Sequence, residues 1–213
     1  MHVDAEKIAE LNRAQLVSEQ DGFTEQRYRQ FTSYFREGDN RILDIGCNTG
    51  RGGAVMKSLR PKLKITGIDC VSERLSSANQ RAYEECLCGL ADDIPRPDYS
   101  FDVIVGGEII EHVPPADVDK TLCELFRVLA LRGRLLLTTP NPHYLRNKWE
   151  KRSVLTDASH LSQHFPESLK LRMKAVGYSR VKIYGTGRMT KYLGTHFPIL
   201  SLYGSYLISG EKW

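Results

Sequence analysis

Glu108-Ile109-Ile110-Glu111-His112 sets two carboxylates and an imidazole within five residues. In a helix, positions i, i+3 and i+4 share one face, so the three side chains would converge. Such a trio suits a divalent cation, with hard oxygen ligands and one borderline nitrogen. It also suits proton transfer, in which His112 takes the proton of a substrate hydroxyl and a carboxylate orients the ring.

A second stretch, residues 42–52, reads Ile-Leu-Asp-Ile-Gly-Cys-Asn-Thr-Gly-Arg-Gly. An apolar run ends in a glycine-rich turn and a helix-forming segment follows. Glycines let backbone lie close to a ligand, and free N–H groups at a helix start favour anionic groups. The spacing Gly46-x-Asn48-x-Gly50-x-Gly52 lacks both the G-x-G-x-x-G fingerprint and the Walker lysine. A carboxylate, Asp69, follows about 20 residues on, where a ribose diol would be bound.

These groups need elements to hold them. Apolar spacing predicts helices over 5–17 and 24–35, and Gly38-Asp39-Asn40 a turn. Arg41–Ile45 is the first predicted strand. A helix over 53–60 is stopped by Pro61. Lys64–Asp69 is the second strand, and Ser72 is placed to cap the next helix. A short third strand lies around Cys86–Cys88, and Phe101–Val105 is the fourth. A helix over 115–129 is ended by Arg132-Gly133, and Arg134–Thr139 is a very apolar strand. A helix over 166–176 meets Gly177 at its C-cap position. Val181–Tyr184 and Leu202–Ile208 are the last strands. This alternation implies an α/β fold with a parallel sheet covered by helices on both faces.

The 213 residues suffice for one domain. It is read as a single unit over 1–213, with a helical cap at 1–37 and substrate-side insertions at 143–165 and 186–200. No apolar run approaches the ~20 residues of a membrane helix, and Met1–Lys7 lacks the pattern of a signal peptide. A cytoplasmic protein without a membrane span is expected. The five cysteines (Cys47, Cys70, Cys86, Cys88, Cys123) have no C-x-x-C spacing and read as reduced, mostly packed thiols. Net charge is +4, but basic residues crowd the C-terminal third from Arg146 to Lys191. That distribution allows an anionic acceptor or nucleic acid as well as a solvated surface.

In ordered motifs from about residue 40 to 185 the chain resembles the class I S-adenosylmethionine (SAM) methyltransferases, in a branch with an Ile-Ile-Glu-His-Val-like segment. Leu43–Gly50 is similar to the first motif, Gly67-Ile68-Asp69 to the ribose-binding acid, and Gly89–Pro95 to the adenine segment. Ser100–Val105 and Leu131–Pro140 are similar to strands four and five. The resemblance implies a Rossmann-like, doubly wound, mostly parallel seven-stranded sheet and SAM as cofactor. It assigns cofactor contacts to Asp44, Gly46, Cys47, Asn48, Gly50, Asp69, Cys70, Ala91, Asp92 and Glu108. Asn48 stands in place of the usual middle glycine, and asparagine tolerates positive φ. Leu90 stands where an aspartate commonly meets adenine, so Asp92 is the substitute.

The Glu-x-x-Glu-His pattern is similar to that of small-RNA 2′-O-methyltransferases, in which another histidine completes a magnesium site, and of ubiquinone-pathway O-methyltransferases. His160 or His164 would be that histidine here. The reading favoured is metal-free O-methylation of a small-molecule or glycan acceptor, with His112 and Glu111 as catalytic residues. The alternatives are an RNA 2′-O-methyltransferase and a SAM-binding protein without catalysis. His143, Tyr144, Trp149, His160 and His164 are candidates for the pocket wall, and Arg188–Phe197 for an anionic, ring-bearing acceptor.

Overall fold

The computed structural model describes residues 5–14 and 22–213. The helices are α1 (Ala5–Arg13), α2 (Thr24–Ser33), α3 (Arg51–Leu59), α4 (Ser72–Arg81), α5 (Val118–Val128), α6 (Leu145–Trp149), α7 (Pro166–Val176) and α8 (Thr190–Leu193). The strands are β1 (Arg41–Ile45), β2 (Lys64–Asp69), β3 (Glu85–Cys88), β4 (Phe101–Gly107), β5 (Leu129–Pro140), β6 (Ser179–Thr186) and β7 (Ser205–Glu211). Residues 15–17 of the first predicted helix lie outside the described residues.

The strands form one seven-stranded sheet in the order β3-β2-β1-β4-β5-β7-β6. β1 through β5 are mutually parallel, and β7 runs antiparallel to both β5 and β6. The order reverses between β1 and β4, and a ligand crevice opens at such a switch, outside the carboxyl ends of the strands.

Alternation along each strand divides the core into two layers. Leu43, Ile45, Ile104, Leu135 and Leu137 face α5 and α7, with Leu122, Leu125, Leu169 and Met173 packed on them. Ile42, Ile65, Val103, Val105 and Leu136 face the other side, under Phe31 of α2 and Met56 of α3. Fully burying each such side chain stabilises the fold by about 1.5–3 kcal/mol. Asp44, between Leu43 and Ile45, therefore points into the second layer.

Several boundaries differ from the sequence reading, each for a local reason. Ser72 is already helical; the residue before it, Val71, has its N–H held by Asp69 Oδ1 at 2.9 Å, so a strand-end acid does the work expected of a serine cap. Pro114-Pro115 delays α5 to Val118. That helix ends at Val128 because Leu129 pairs with Phe101 of β4. Arg132, at φ 63, then kinks β5 rather than closing the helix. β7 starts at Ser205 because Leu200–Leu202 is a 3₁₀ turn, fixed by Asn141 Nδ2 donating to the carbonyls of Leu200 and Tyr203. Cys88 and Cys123 are exposed rather than packed.

Candidate functional site

At the carboxyl edge of the sheet lies a cavity of about 330 Å³. Its lining comes from the β1–α3 turn (Gly46, Cys47, Asn48, Thr49, Arg51, Gly52), the end of β2 (Asp69, Cys70) and the stretch after β3 (Gly89–Asp92). Beyond β4 it is lined by Glu108, Ile109, Glu111, His112 and Val113, and from further off by Asp157 and His160. Ile8, Asn12, Thr24, Arg27 and Tyr28 close it from the N-terminal helices.

The turn end is organised by backbone. Asn48 adopts φ 49, the positive value its side chain tolerates. Its N–H donates to Asp69 Oδ2 at 2.9 Å, and the Val71 N–H takes the other oxygen. Each Asp69 oxygen keeps a second lone pair directed elsewhere, so the carboxylate can still accept from a ligand's hydroxyls. Burial raises the Asp69 pKa, although both N–H donors pull it down.

Two residues expected at the cofactor do not line the cavity. Asp44 is fully buried, and its carboxyl oxygens accept from the hydroxyls of Tyr28 (2.7 Å) and Tyr83. Burial pushes its pKa up to about 7, against the pull of the two tyrosines. Its carboxyl therefore holds the turn from behind, clamping α2 and the segment between α4 and β3 against β1. Gly50 likewise serves packing: at φ 85, a side chain there would meet the Ala78 backbone of α4 at 2.7 Å. Asp92 lines the cavity but is ion-paired with Lys120 at 2.8 Å, so its carboxylate is shared.

The other end departs from a helix. Glu108 has φ 56, and only Ile110–His112 forms a 3₁₀ turn. A non-glycine residue in that region costs on the order of 1–3 kcal/mol and is characteristic of functional sites. The three side chains do not share a face. Glu108 turns toward Arg27 of α2, at 3.9 Å, and accepts from Ser205 Oγ at 3.3 Å. Glu111 and His112 instead meet His160, with one ligand atom from each within 4.8 Å of the others. Among the described residues this is the grouping of His, Cys, Asp and Glu side chains with metal-ligand spacing.

Backbone bonds bring the distant segment in. The N–H groups of Leu161 and Ser162 both donate to the Glu111 carbonyl, at 2.8 and 3.0 Å. The His112 Nδ1 lies 2.9 Å from the Ser159 carbonyl and the His160 Nδ1 lies 2.7 Å from the Val154 carbonyl. A carbonyl can only accept, so both rings carry hydrogen on Nδ1, and Nε2 is the atom left for a proton or an ion. Burial, then the neighbouring His160, lowers the His112 pKa to about 4, which leaves the ring neutral at neutral pH. Burial, then the Glu108 charge, holds the Glu111 carboxyl well above the usual range. Thr139 Oγ1 donates to Glu111 Oε2 at 3.0 Å, while Glu111 Oε1 has no hydrogen-bond partner among the described residues. His164 does not join them; its Nε2 is bound to Ser162 Oγ and the Ile110 carbonyl.

The pocket-wall candidates divide in the same way. Of His143, Tyr144, Trp149, His160 and His164, only His160 lines the cavity. Trp149 is 87% exposed. No residue of 186–200 lines the cavity. The sequence reading missed Arg27, Arg51 and Arg74, cations from three helices that do. No local sequence signal marks Arg27; the packing of α2 over the end of β4 brings it there, where its Cδ would lie 2.9 Å from a Cβ at Gly107.

A family model described as a methyltransferase domain matches residues 43–137. A fatty-acid O-methyltransferase from Mycolicibacterium smegmatis is 34% identical over 55% of this chain and 43% of its own length. A demethylmenaquinone methyltransferase from Symbiobacterium thermophilum is 32% identical over 62% of this chain and 55% of its own length. The chain thus spans about half the length of these curated relatives. A solved SAM-dependent methyltransferase from Archaeoglobus fulgidus superposes with TM-score 0.70 at 20% identity, covering 88% of this chain and 92% of that one, which is a likeness of fold.

Proposed function

We propose that the chain is a class I SAM-dependent methyltransferase, as the match to a methyltransferase-domain model and the curated relatives support, and that it methylates an oxygen of a small-molecule or glycan acceptor. The observation that carries this reading is His112, a neutral ring with Nδ1 committed to Ser159, at the opposite end of the cavity from Asp69 and the glycine turn. The relative named as a fatty-acid O-methyltransferase supports oxygen as the acceptor atom.

The cavity fits the cofactor chemically. Asp69, with an open lone pair on each oxygen, would hold the ribose hydroxyls, and the backbone of Gly46–Asn48 would lie along the ligand. Cys70 and Ala91 would flank the adenine, with Asp92 at its edge. Arg27, paired with Glu108, would answer the zwitterionic amino-acid end. SAM supplies an electrophilic methyl group already activated by its sulfonium. The chain's part is to align the acceptor oxygen with that methyl, exclude water and receive one proton. An acceptor O–H becomes strongly acidic as its oxygen gains the methyl, so even a ring of low pKa can take the proton on Nε2. Glu111, kept protonated by burial, adds no competing charge beside it.

The Glu111, His112 and His160 cluster favours a second reading, in which a divalent ion activates the acceptor. One carboxylate and two imidazoles suit such an ion. Both rings donate Nδ1–H to a backbone carbonyl, the arrangement common among metal-ligating histidines. An ion would displace the Glu111 proton and engage its unpartnered Oε1.

One experiment separates these readings: transfer of labelled methyl from SAM to sugars, nucleotide sugars, phenols, fatty acids and short RNAs, with and without EDTA. Turnover of a hydroxyl acceptor that survives chelation is the expected result. Loss on chelation with recovery on adding a divalent ion selects the metal reading, and RNA as sole acceptor selects a 2′-O-methyltransferase. Tight SAM binding with no turnover across the panel would leave a non-catalytic SAM-binding protein.

A further inference from the structure

We propose that the face carrying Leu145, Trp149 and Ile199, edged by Lys148, Lys151 and Arg152, docks the protein on the surface of an anionic phospholipid bilayer. Leu145 and Trp149 stand four apart on α6 and so share a face, and they are 49% and 87% exposed. Ile199, 50% exposed, precedes the Leu200–Leu202 turn against which α6 packs. Single exposed apolar residues are ordinary, but three large ones gathered on adjoining segments mark a contact surface.

The surrounding charge points to the occupant. Residues 146–152 carry Arg146, Lys148, Lys151 and Arg152 against a single acid, Glu150. Glu150 pairs with Arg146 at 2.7 Å and Arg152 at 3.3 Å, whereas neither Lys148 nor Lys151 is ion-paired among the described residues. A tryptophan beside lysines is the composition of a membrane interface: the ring sits at headgroup level while lysine stems lie along apolar surface and their ammonium groups reach phosphate. Nucleic acid fits less well, because Leu145 and Ile199 offer bases no stacking face. Among the described residues no helix is long and apolar enough to cross a membrane, so the contact lies on the bilayer rather than through it. The same stretch of chain continues to Asp157 and His160 in the cavity wall, so docking would bring that wall near the lipid surface.

The test uses the full chain with Trp213→Phe, which leaves Trp149 as the one tryptophan of the two present. Trp213 follows the C-terminal end of β7, against Arg180 at 4.2 Å, whereas the start of β7 pairs with Pro140, just before α6. Vesicles of phosphatidylglycerol with phosphatidylcholine are expected to sediment the protein, shift Trp149 emission to the blue and shield it from acrylamide. Pure phosphatidylcholine should do so far more weakly, and added salt should weaken both. Each lysine neutralised is expected to lower partitioning about fivefold, so Lys148→Gln with Lys151→Gln should lower it more than tenfold. Trp149→Ala should lower sedimentation as well. SAM affinity, measured by calorimetry, should be unchanged in these variants, which shows that they fold and keeps this proposal separate from the catalytic one. No shift with any vesicle would overturn it, as would equal binding to both compositions. A Trp149 response to short single-stranded RNA but not to vesicles would overturn it in favour of nucleic acid.

Discussion

The two ends of the cavity are built differently. At the glycine turn, the cavity-facing carboxylate is held by backbone: the Asn48 N–H reaches Asp69, 21 residues on, and the Val71 N–H reaches back two, while the Tyr28 and Tyr83 hydroxyls clamp Asp44 from behind. At the other end, the cavity-facing side chains are fixed by groups from other elements. His112 is held by Ser159, 47 residues away, Glu111 by Thr139, 28 away, and Glu108 pairs with Arg27 of α2. The second end depends on α2, β5 and the 157–162 segment docking together. The difference teaches that the two ends rest on different contacts: the turn end on backbone N–H groups that meet one carboxylate, the other on side chains that separate segments bring together.

Breaking one end should leave the other intact. The largest effect is expected at the side-chain end: His112→Ala should lower turnover on the order of 10²–10⁴-fold while SAM affinity by calorimetry stays unchanged. Full activity would remove His112 as proton acceptor and as ligand. At the backbone end, Asp69→Ala removes an acceptor shared by two N–H groups and the ribose. It should weaken SAM binding by about 100-fold or more, and an unchanged calorimetric Kd would refute the assignment.

A third contrast is read from pH. His112 titrates at about 4 in the folded chain against an ordinary 6.5, so below 6.5 the unfolded chain takes up the proton first. Its contribution to stability is present above about pH 6.5 and is lost as pH falls to about 4, some 3 kcal/mol in all. Asp44 acts in the opposite sense. Raised from 3.8 to about 7, it favours the folded state at low pH and loses that advantage as pH rises through 7. Total stability therefore hides both. The difference between wild type and His112→Gln in urea unfolding isolates the histidine, and should shrink by about 3 kcal/mol from pH 6.5 to pH 4. A difference independent of pH would show that His112 is not neutralised by burial. The smallest effect belongs to Tyr83→Phe, which leaves one Asp44 oxygen without its hydroxyl donor. It should cost about 1–3 kcal/mol in denaturant unfolding and raise the Asp44 pKa further, and a neutral outcome would show that Tyr28 alone secures the turn.

Sequence periodicity located all seven strands because apolar runs bounded by Gly, Pro and Asp are local signals, although β5 begins at Leu129, five residues before the predicted start. It misplaced the starts of α5 and β7, where Pro114-Pro115 and the Asn141 side chain decide the boundary. At the site, the pattern Glu108–His112 was visible, but its shape was not. A left-handed Glu108 turns that side chain away from the other two and leaves His160 to complete the cluster. Trp149 is a pocket-wall candidate that by type is more often packing or surface, and only the tertiary structure shows it exposed.

By itself the sequence determined the α/β class, the glycine turn and the acid that follows it, because those depend on φ preferences and strand alternation within short windows. Only the tertiary structure decided that Asp44 is clamped by Tyr28 and Tyr83, that Arg27 faces Glu108, and that His160 rather than His164 stands beside His112. Those outcomes turn on the docking of segments tens of residues apart. Their energies come from burial and from satisfying polar groups in three dimensions, which no local spacing encodes.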